Sequence, residues 1–236
     1  MPSVNVTLNS GFQMPLLGLG TALGAAAVQA SAEAAARGEP QPVSEEVKQA
    51  VKHAVTIGYR HIDTAFVYGV EETIGIALQE LFAEGVVSRG DMFITTKLFN
   101  TFHRPDDVEP ACRASLAALQ LDYVDLYLMH WPQAFQNIPE MGLFPKDDEG
   151  NVLYDVQTTP TETWLAMETL VGLGLCRSIG VSNFNEAQMN DLYTAAAIMP
   201  ACNQVECHPY CTQLPLLAKC QEYGVALTAY SPLGGP

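Results

Sequence analysis

Apolar residues run through this chain in short, nearly unbroken blocks, each followed by a longer stretch in which apolar and polar positions recur at helical spacing. The blocks fall at 59–64, 92–98, 124–130, 177–182, 201–207 and 225–231. Runs of that length without in-and-out alternation predict strands buried on both faces, as in a parallel sheet. Between them the helical period predicts helices over 44–55, 71–84, 105–119, 161–172, 185–197 and 214–223, with Ser44 placed to cap the first. Ahead of these units, 4–8 and 12–14 flank Asn9, Ser10 and Gly11, a hairpin signature, and 16–21 reads as the first buried strand. Seven strands alternating with helices place the chain in the α/β class. Without an evident crossover reversal, they point to a (β/α)8 TIM barrel with an N-terminal β-hairpin, a single domain over 1–236. The eighth βα unit is expected to be missing from this chain, since none precedes Pro236, and the first and seventh strands would then be edges.

Two stretches break the alternation. Residues 22–42 are Ala-rich and closed by Gly38, Pro40 and Pro42, which reads as an insertion after the first strand, helical in part over 25–37. Residues 133–159 form a loop too long to be a mere connection, and such loops are usually functional. The glycines at 18, 20 and 24 are not a dinucleotide fingerprint, because Leu23 stands where a third glycine is needed; they suggest close backbone approach at a strand end.

Composition narrows the partners. With 26 acidic against 11 basic side chains, the net charge of −15 argues against nucleic acid and anionic membrane surfaces. No apolar run is long enough to span a bilayer and the start lacks a signal-peptide pattern, so a cytoplasmic protein is expected. The six cysteines read as free thiols, and the spacing of Cys202, Cys207, His208 and Cys211 matches no paired-ligand zinc motif, so no metal is expected.

The chemistry gathers where the apolar runs stop. Asp63 closes one strand with Tyr68 in the loop behind it, Lys97 stands at the end of the next, and His130 ends the one after. In a barrel of this kind, reacting groups come from the C-terminal ends of several strands. A phenol is a reluctant acid near neutrality, and an adjacent ammonium stabilises its phenolate. Lys97 can serve Tyr68 in that way, Asp63 can hold Lys97 charged, and His130 can donate a hydrogen bond to a reacting oxygen.

These segments resemble the aldo-keto reductase superfamily. The residues that carry the resemblance are Gly58 to Ala65 with Tyr68, Phe93 to Lys97, Asp125 to Pro132, Arg177 to Phe184, Asn203 to Pro209 and Ala229 to Leu233, in the family's order. The resemblance implies NADPH-dependent reduction of aldehydes and ketones, with Asp63, Tyr68, Lys97 and His130 as the catalytic tetrad and Tyr68 as general acid. It implies that Ser182, Asn183 and Gln204 bind the nicotinamide carboxamide and that Tyr230 stacks on the ring. Ser231 and Leu233 would begin the pyrophosphate-binding stretch, and Gly20, Thr21 and Asp63 would border the cofactor. Phe66, Phe99, His130, Trp131 and Ala22, where many members carry an aromatic, would line the pocket for a small-molecule carbonyl substrate. NADH stays open beside NADPH, because the segment that grips the 2′-phosphate lies beyond Pro236. A monomer is expected, or a protein partner that supplies the missing strand. A catalytically inactive barrel with a structural or interaction role is the alternative.

Overall fold

Each barrel strand pairs with its neighbour in sequence, so that the sheet is built in the order in which the chain is read. The computed structural model describes residues 4–24, 30 and 43–234. An antiparallel hairpin, β1 (Asn5–Thr7) and β2 (Gln13–Pro15), precedes a seven-stranded parallel sheet. Its strands are β3 (Leu19–Gly20), β4 (His61–Asp63), β5 (Phe93–Leu98), β6 (Val124–Met129), β7 (Cys176–Ser182), β8 (Cys202–Glu206) and β9 (Ala226–Tyr230). The sheet curls into a nearly closed barrel; among the described residues β3 and β9 are its two edges. Among the described residues these helices return the chain between strands: α1 (Glu45–Thr56), α2 (Glu71–Ala83), α3 (Pro105–Leu119), α4 (Pro160–Gly172), α5 (Glu186–Ala195) and α6 (Leu214–Glu222). No described helix is long and apolar enough to cross a membrane.

Local sequence sets these boundaries. The Ser44 side chain accepts from the Val47 amide at the start of α1, while Thr159 with Glu162 and Asn185 with Gln188 form capping boxes on α4 and α5. Every residue of β5 and β6 is buried, the polar Thr95, Thr96, Lys97 and Asp125 included, as a parallel sheet covered on both faces requires. The main core lies between barrel and helices, where Val51, Ile74 and Leu78 meet Ile94, Val108, Tyr127 and Trp164. A second core closes the barrel floor, with Leu8 and Met14 of the hairpin packed on Phe93, Leu126, Leu128 and Cys202. Asn9 also donates to the Pro200 carbonyl at 2.8 Å and Ser10 meets the Ser178 hydroxyl at 2.7 Å, tying the hairpin to strands far along the chain.

Beside that floor, Asp125 accepts from Arg89 at 2.8 Å, Arg177 at 3.0 Å and the Ile94 amide at 2.9 Å. The Tyr123 ring lies 4.0 Å from one guanidinium and 4.2 Å from the other. The two cations therefore share one carboxylate and one aromatic ring.

The first barrel strand is shorter than the apolar pattern predicts. Only Leu19–Gly20 pairs with β4, and Leu16 and Leu17 are 63% and 64% exposed. The reason is a competing partner: the Leu16 amide donates to the Val4 carbonyl at 2.9 Å, so this stretch prolongs the hairpin. Of the 22–42 insertion, 25–29 and 31–42, with most of the expected 25–37 helix, lie outside the described residues.

Gly75 in α2 permits close approach to α3. A Cβ there would stand 2.5 Å from the Ala118 carbonyl oxygen and 2.8 Å from that of Leu119, both backbone atoms. Gly75→Ala is expected to lose about 1–3 kcal/mol through overpacking despite its better helix propensity, seen as a lower urea midpoint.

Candidate active site

β4 ends at Asp63, and the chain turns through Thr64 and Ala65 into a short 3-10 helix, Phe66–Tyr68, closed by Gly69 at φ 66°. This turn aims Tyr68 back over the barrel mouth. Lys97, one residue from the end of β5, is fully buried and donates to Asp63 Oδ1 at 2.5 Å and to the Thr64 carbonyl at 2.8 Å. Its ammonium lies 5.2 Å from the Tyr68 ring centre. His130, following β6, meets the Tyr68 ring edge-on with centroids 5.7 Å apart. Four groups from successive strand ends thus converge on one point.

Their charges are set by burial and by one another. Burial works against the Lys97 ammonium, yet the Asp63 carboxylate and the Tyr68 phenol hold its pKa above the ordinary lysine value. His130 is pushed well below the usual histidine range by burial first, then by the Lys97 charge and by His103. His103, buried behind it, is lowered to about 3. The site therefore holds a charged lysine and a neutral imidazole that keeps one N–H to give.

Opposite these groups, Ser182 ends β7, Gln204 lies in β8 and Tyr230 ends β9. Gln204 Nε2 donates to Asp63 Oδ2 at 2.7 Å, crossing the mouth of the barrel. Asn183 donates to the His130 carbonyl at 2.9 Å, and its Oδ1 accepts from the Tyr230 hydroxyl at 2.9 Å. Asn183 and Ser231 take left-handed φ values of 63° and 47°, which residues other than glycine adopt at a cost and which cluster at working sites.

A cleft of about 420 Å³ joins the two halves, lined by Gly20, Thr21, Ala22, Asp63, Tyr68, His130, Trp131, Ser182, Asn183, Gln204, Tyr230 and Ser231. Lys97 lies beneath it, bonded to Asp63. Leu233, 97% exposed, is not brought in. Phe66 and Phe99 stand behind this lining: Phe66 packs on Phe102, and Phe99 is buried against His130, Phe135 and Phe144. These last two belong to the 133–159 loop, which is anchored by Asn100 Nδ2 to the Gln133 carbonyl at 2.8 Å and by Arg104 to Asp155 at 2.9 Å. Among the described residues no group of three or more His, Cys, Asp or Glu side chains converges as a metal site.

The sequence model of the Aldo/keto reductase family matches residues 22–236. The chain belongs to the aldo-keto reductase family. It is 49% identical over 230 residues to aldo-keto reductase family 1 member A1 of Pongo abelii, covering 97% of this chain and 64% of that protein. Against the Mus musculus protein of the same name it is 48% identical over 235 residues, covering 99% and 66%. The chain thus spans just under two thirds of the length of these relatives. Among solved structures it is similar to a Bombyx mori aldo-keto reductase in complex with NADP, with 40% identity and a TM-score of 0.81, covering 98% of this chain and 67% of that one. The aldose reductase of Schistosoma japonicum matches at 39% identity and a TM-score of 0.85, with 98% and 69% covered.

Two contacts in the site have no signature in the sequence. The Thr64 carbonyl as a second acceptor for Lys97 is backbone chemistry that no side-chain pattern reveals. The Gln204–Asp63 bond joins residues 141 apart in the chain, which the curl of the sheet brings together.

Proposed function

We propose that this chain reduces aldehydes or ketones to alcohols, with NADPH as hydride donor and Tyr68 as the acid that protonates the nascent alkoxide. The observation that carries the reading is the cleft itself, which sets Asp63, Tyr68 and His130 across from Ser182, Asn183, Gln204 and Tyr230. The residues fit a nicotinamide. Two amides and a hydroxyl offer donors and acceptors for a carboxamide, and Tyr230 offers a ring face. Gly20 lines the cleft, and a Cβ there would meet nothing within 4 Å, so the space beside it is open. NADPH, when bound, supplies the hydride.

The protein's own groups supply the rest. His130, neutral, donates its N–H to the carbonyl oxygen and fixes the substrate's angle. As negative charge develops on that oxygen, the Tyr68 O–H bond breaks and its proton passes to the oxygen. The phenolate left behind faces the Lys97 ammonium, whose other contacts to Asp63 and the Thr64 carbonyl keep it charged and still. Gln204 has to trade its bond to Asp63 for, or share it with, a carboxamide. Trp131, 42% exposed, and Ala22 border the mouth through which a small carbonyl compound reaches Tyr68.

Adding NADPH to the purified chain is expected to quench tryptophan emission, since Trp131 lines the cleft. Absorbance of NADPH is expected to fall only when an aldehyde is present. Unchanged emission together with unchanged absorbance across a panel of aldehydes and ketones would overturn the reading.

A further inference from the structure

Glu71 is the first residue of α2, yet its carboxyl is buried against the barrel wall rather than turned to water. The Thr96 hydroxyl, fully buried, donates to Glu71 Oε1 at 2.6 Å. An acid in a first helical turn is ordinarily explained by the helix dipole, which is satisfied by an exposed carboxylate. Burying the group adds a desolvation cost that the dipole does not require. Burial raises this carboxyl to about 7, against the opposing influence of the Thr96 and Ser115 hydroxyls and the Lys97 charge.

The two partners occupy telling places in the chain. Thr96 immediately precedes Lys97 on β5, its side chain on the helix side of the wall while Lys97 faces the mouth. Glu71 follows Tyr68 by three residues, and only Gly69 and Val70 stand between them. Gly69 is in the left-handed region and Val70 gives α2 no side-chain cap, so the link is short but locally pliable. The 3-10 turn itself is closed by Tyr68 N to the Ala65 carbonyl at 3.0 Å and Gly69 N to the Phe66 carbonyl at 3.2 Å.

We propose that Glu71 is a positioning residue for Tyr68: bonded to Thr96, it straps the turn that carries the phenol to the strand that carries Lys97. The strap is the hydrogen bond that the Thr96 hydroxyl donates to Glu71 behind the wall, and it touches neither substrate nor cofactor. This inference rests on the reading of Tyr68 as proton donor, because only then does its distance from Lys97 and the cleft govern a rate.

The test compares Glu71→Ala, Glu71→Gln and Thr96→Val in the full chain by amide hydrogen exchange and by steady-state kinetics. In Glu71→Ala and Thr96→Val the Tyr68 and Gly69 amides are expected to exchange about tenfold faster, with the β6 and β7 amides unmoved. The kcat for an aromatic aldehyde is expected to fall about 10- to 100-fold as the phenol loses its place, while KM and NADPH affinity hold. Glu71→Gln, which keeps a hydrogen-bonding group of the same shape, is expected to stay near the parent in both readouts. Unchanged exchange at Tyr68 and Gly69 in Thr96→Val overturns the strap, and so does a Gln variant as impaired as Ala. If Glu71→Ala does not fold, Thr96→Val decides alone, since it exchanges only the hydroxyl for a methyl of similar size. Absence of reductase activity in the parent chain would count against the reductase reading alone, and the exchange comparison would still decide the strap.

Discussion

Tyr68→Phe is expected to lower the rate of NADPH-dependent aldehyde reduction by ~10²- to 10⁴-fold, the usual worth of a positioned proton donor. The substitution removes one oxygen and leaves the ring, so the edge-on contact with His130 and the position over Lys97 persist. No other group in the cleft replaces the lost acid. His130 is held neutral by burial and by Lys97, and Lys97 is buried beneath the cleft with two of its three N–H groups given to Asp63 and the Thr64 carbonyl. NADPH affinity, read from tryptophan quenching, is expected to hold, because the groups proposed to bind the carboxamide sit on the opposite strands. Lys97→Met should depress the same rate while keeping the bulk of the side chain. Equal rates for Tyr68→Phe and the parent would remove Tyr68 from the mechanism.

The second large effect concerns the barrel floor. Asp125→Ala is expected to destabilise the protein by about 3 kcal/mol, the low end of the range for breaking a buried ion pair. The low end applies because Arg177 is partly exposed and keeps water as an alternative partner. The loss is threefold: the Ile94 amide has no acceptor, Arg89 keeps its charge in a partly buried place, and the two guanidiniums around Tyr123 face each other without the carboxylate. Asp125→Asn should recover part of the deficit, since its amide oxygen can still accept from Ile94. Urea unfolding of the three proteins checks the order; coincident midpoints for Asp125→Ala and the parent would show that the network is energetically idle.

Much of the site is legible in the sequence because a barrel converts one-dimensional punctuation into geometry. Asp63, Lys97, His130 and Ser182 each lie where an apolar run stops, and in a parallel barrel every such stop faces the same mouth. What stays hidden depends on partners far along the chain or on burial. Leu16 and Leu17 look like strand residues, but a hairpin carbonyl takes the backbone bond that would extend the barrel. Phe66 and Phe99 look like a pocket mouth, but the 133–159 loop folds its own phenylalanines onto Phe99. Glu71 is indistinguishable by sequence from Glu45 and Glu46, which also open a helix; those two face water, and only the packing of α2 against β5 sets Glu71 apart.

The Gln204–Asp63 bond has a mechanical side. The barrel is a hoop braced across both ends: the hairpin fills the floor with apolar side chains, a brace no small ligand can claim, whereas across the mouth runs a hydrogen bond between an amide and a carboxylate. A ligand that recruits the Gln204 amide takes over one end of that upper brace and bridges β4 and β8 with its own atoms. The empty hoop is thus held at the rim by a single exchangeable hydrogen bond, the loaded one by the ligand that replaces it, and the base is the same in both.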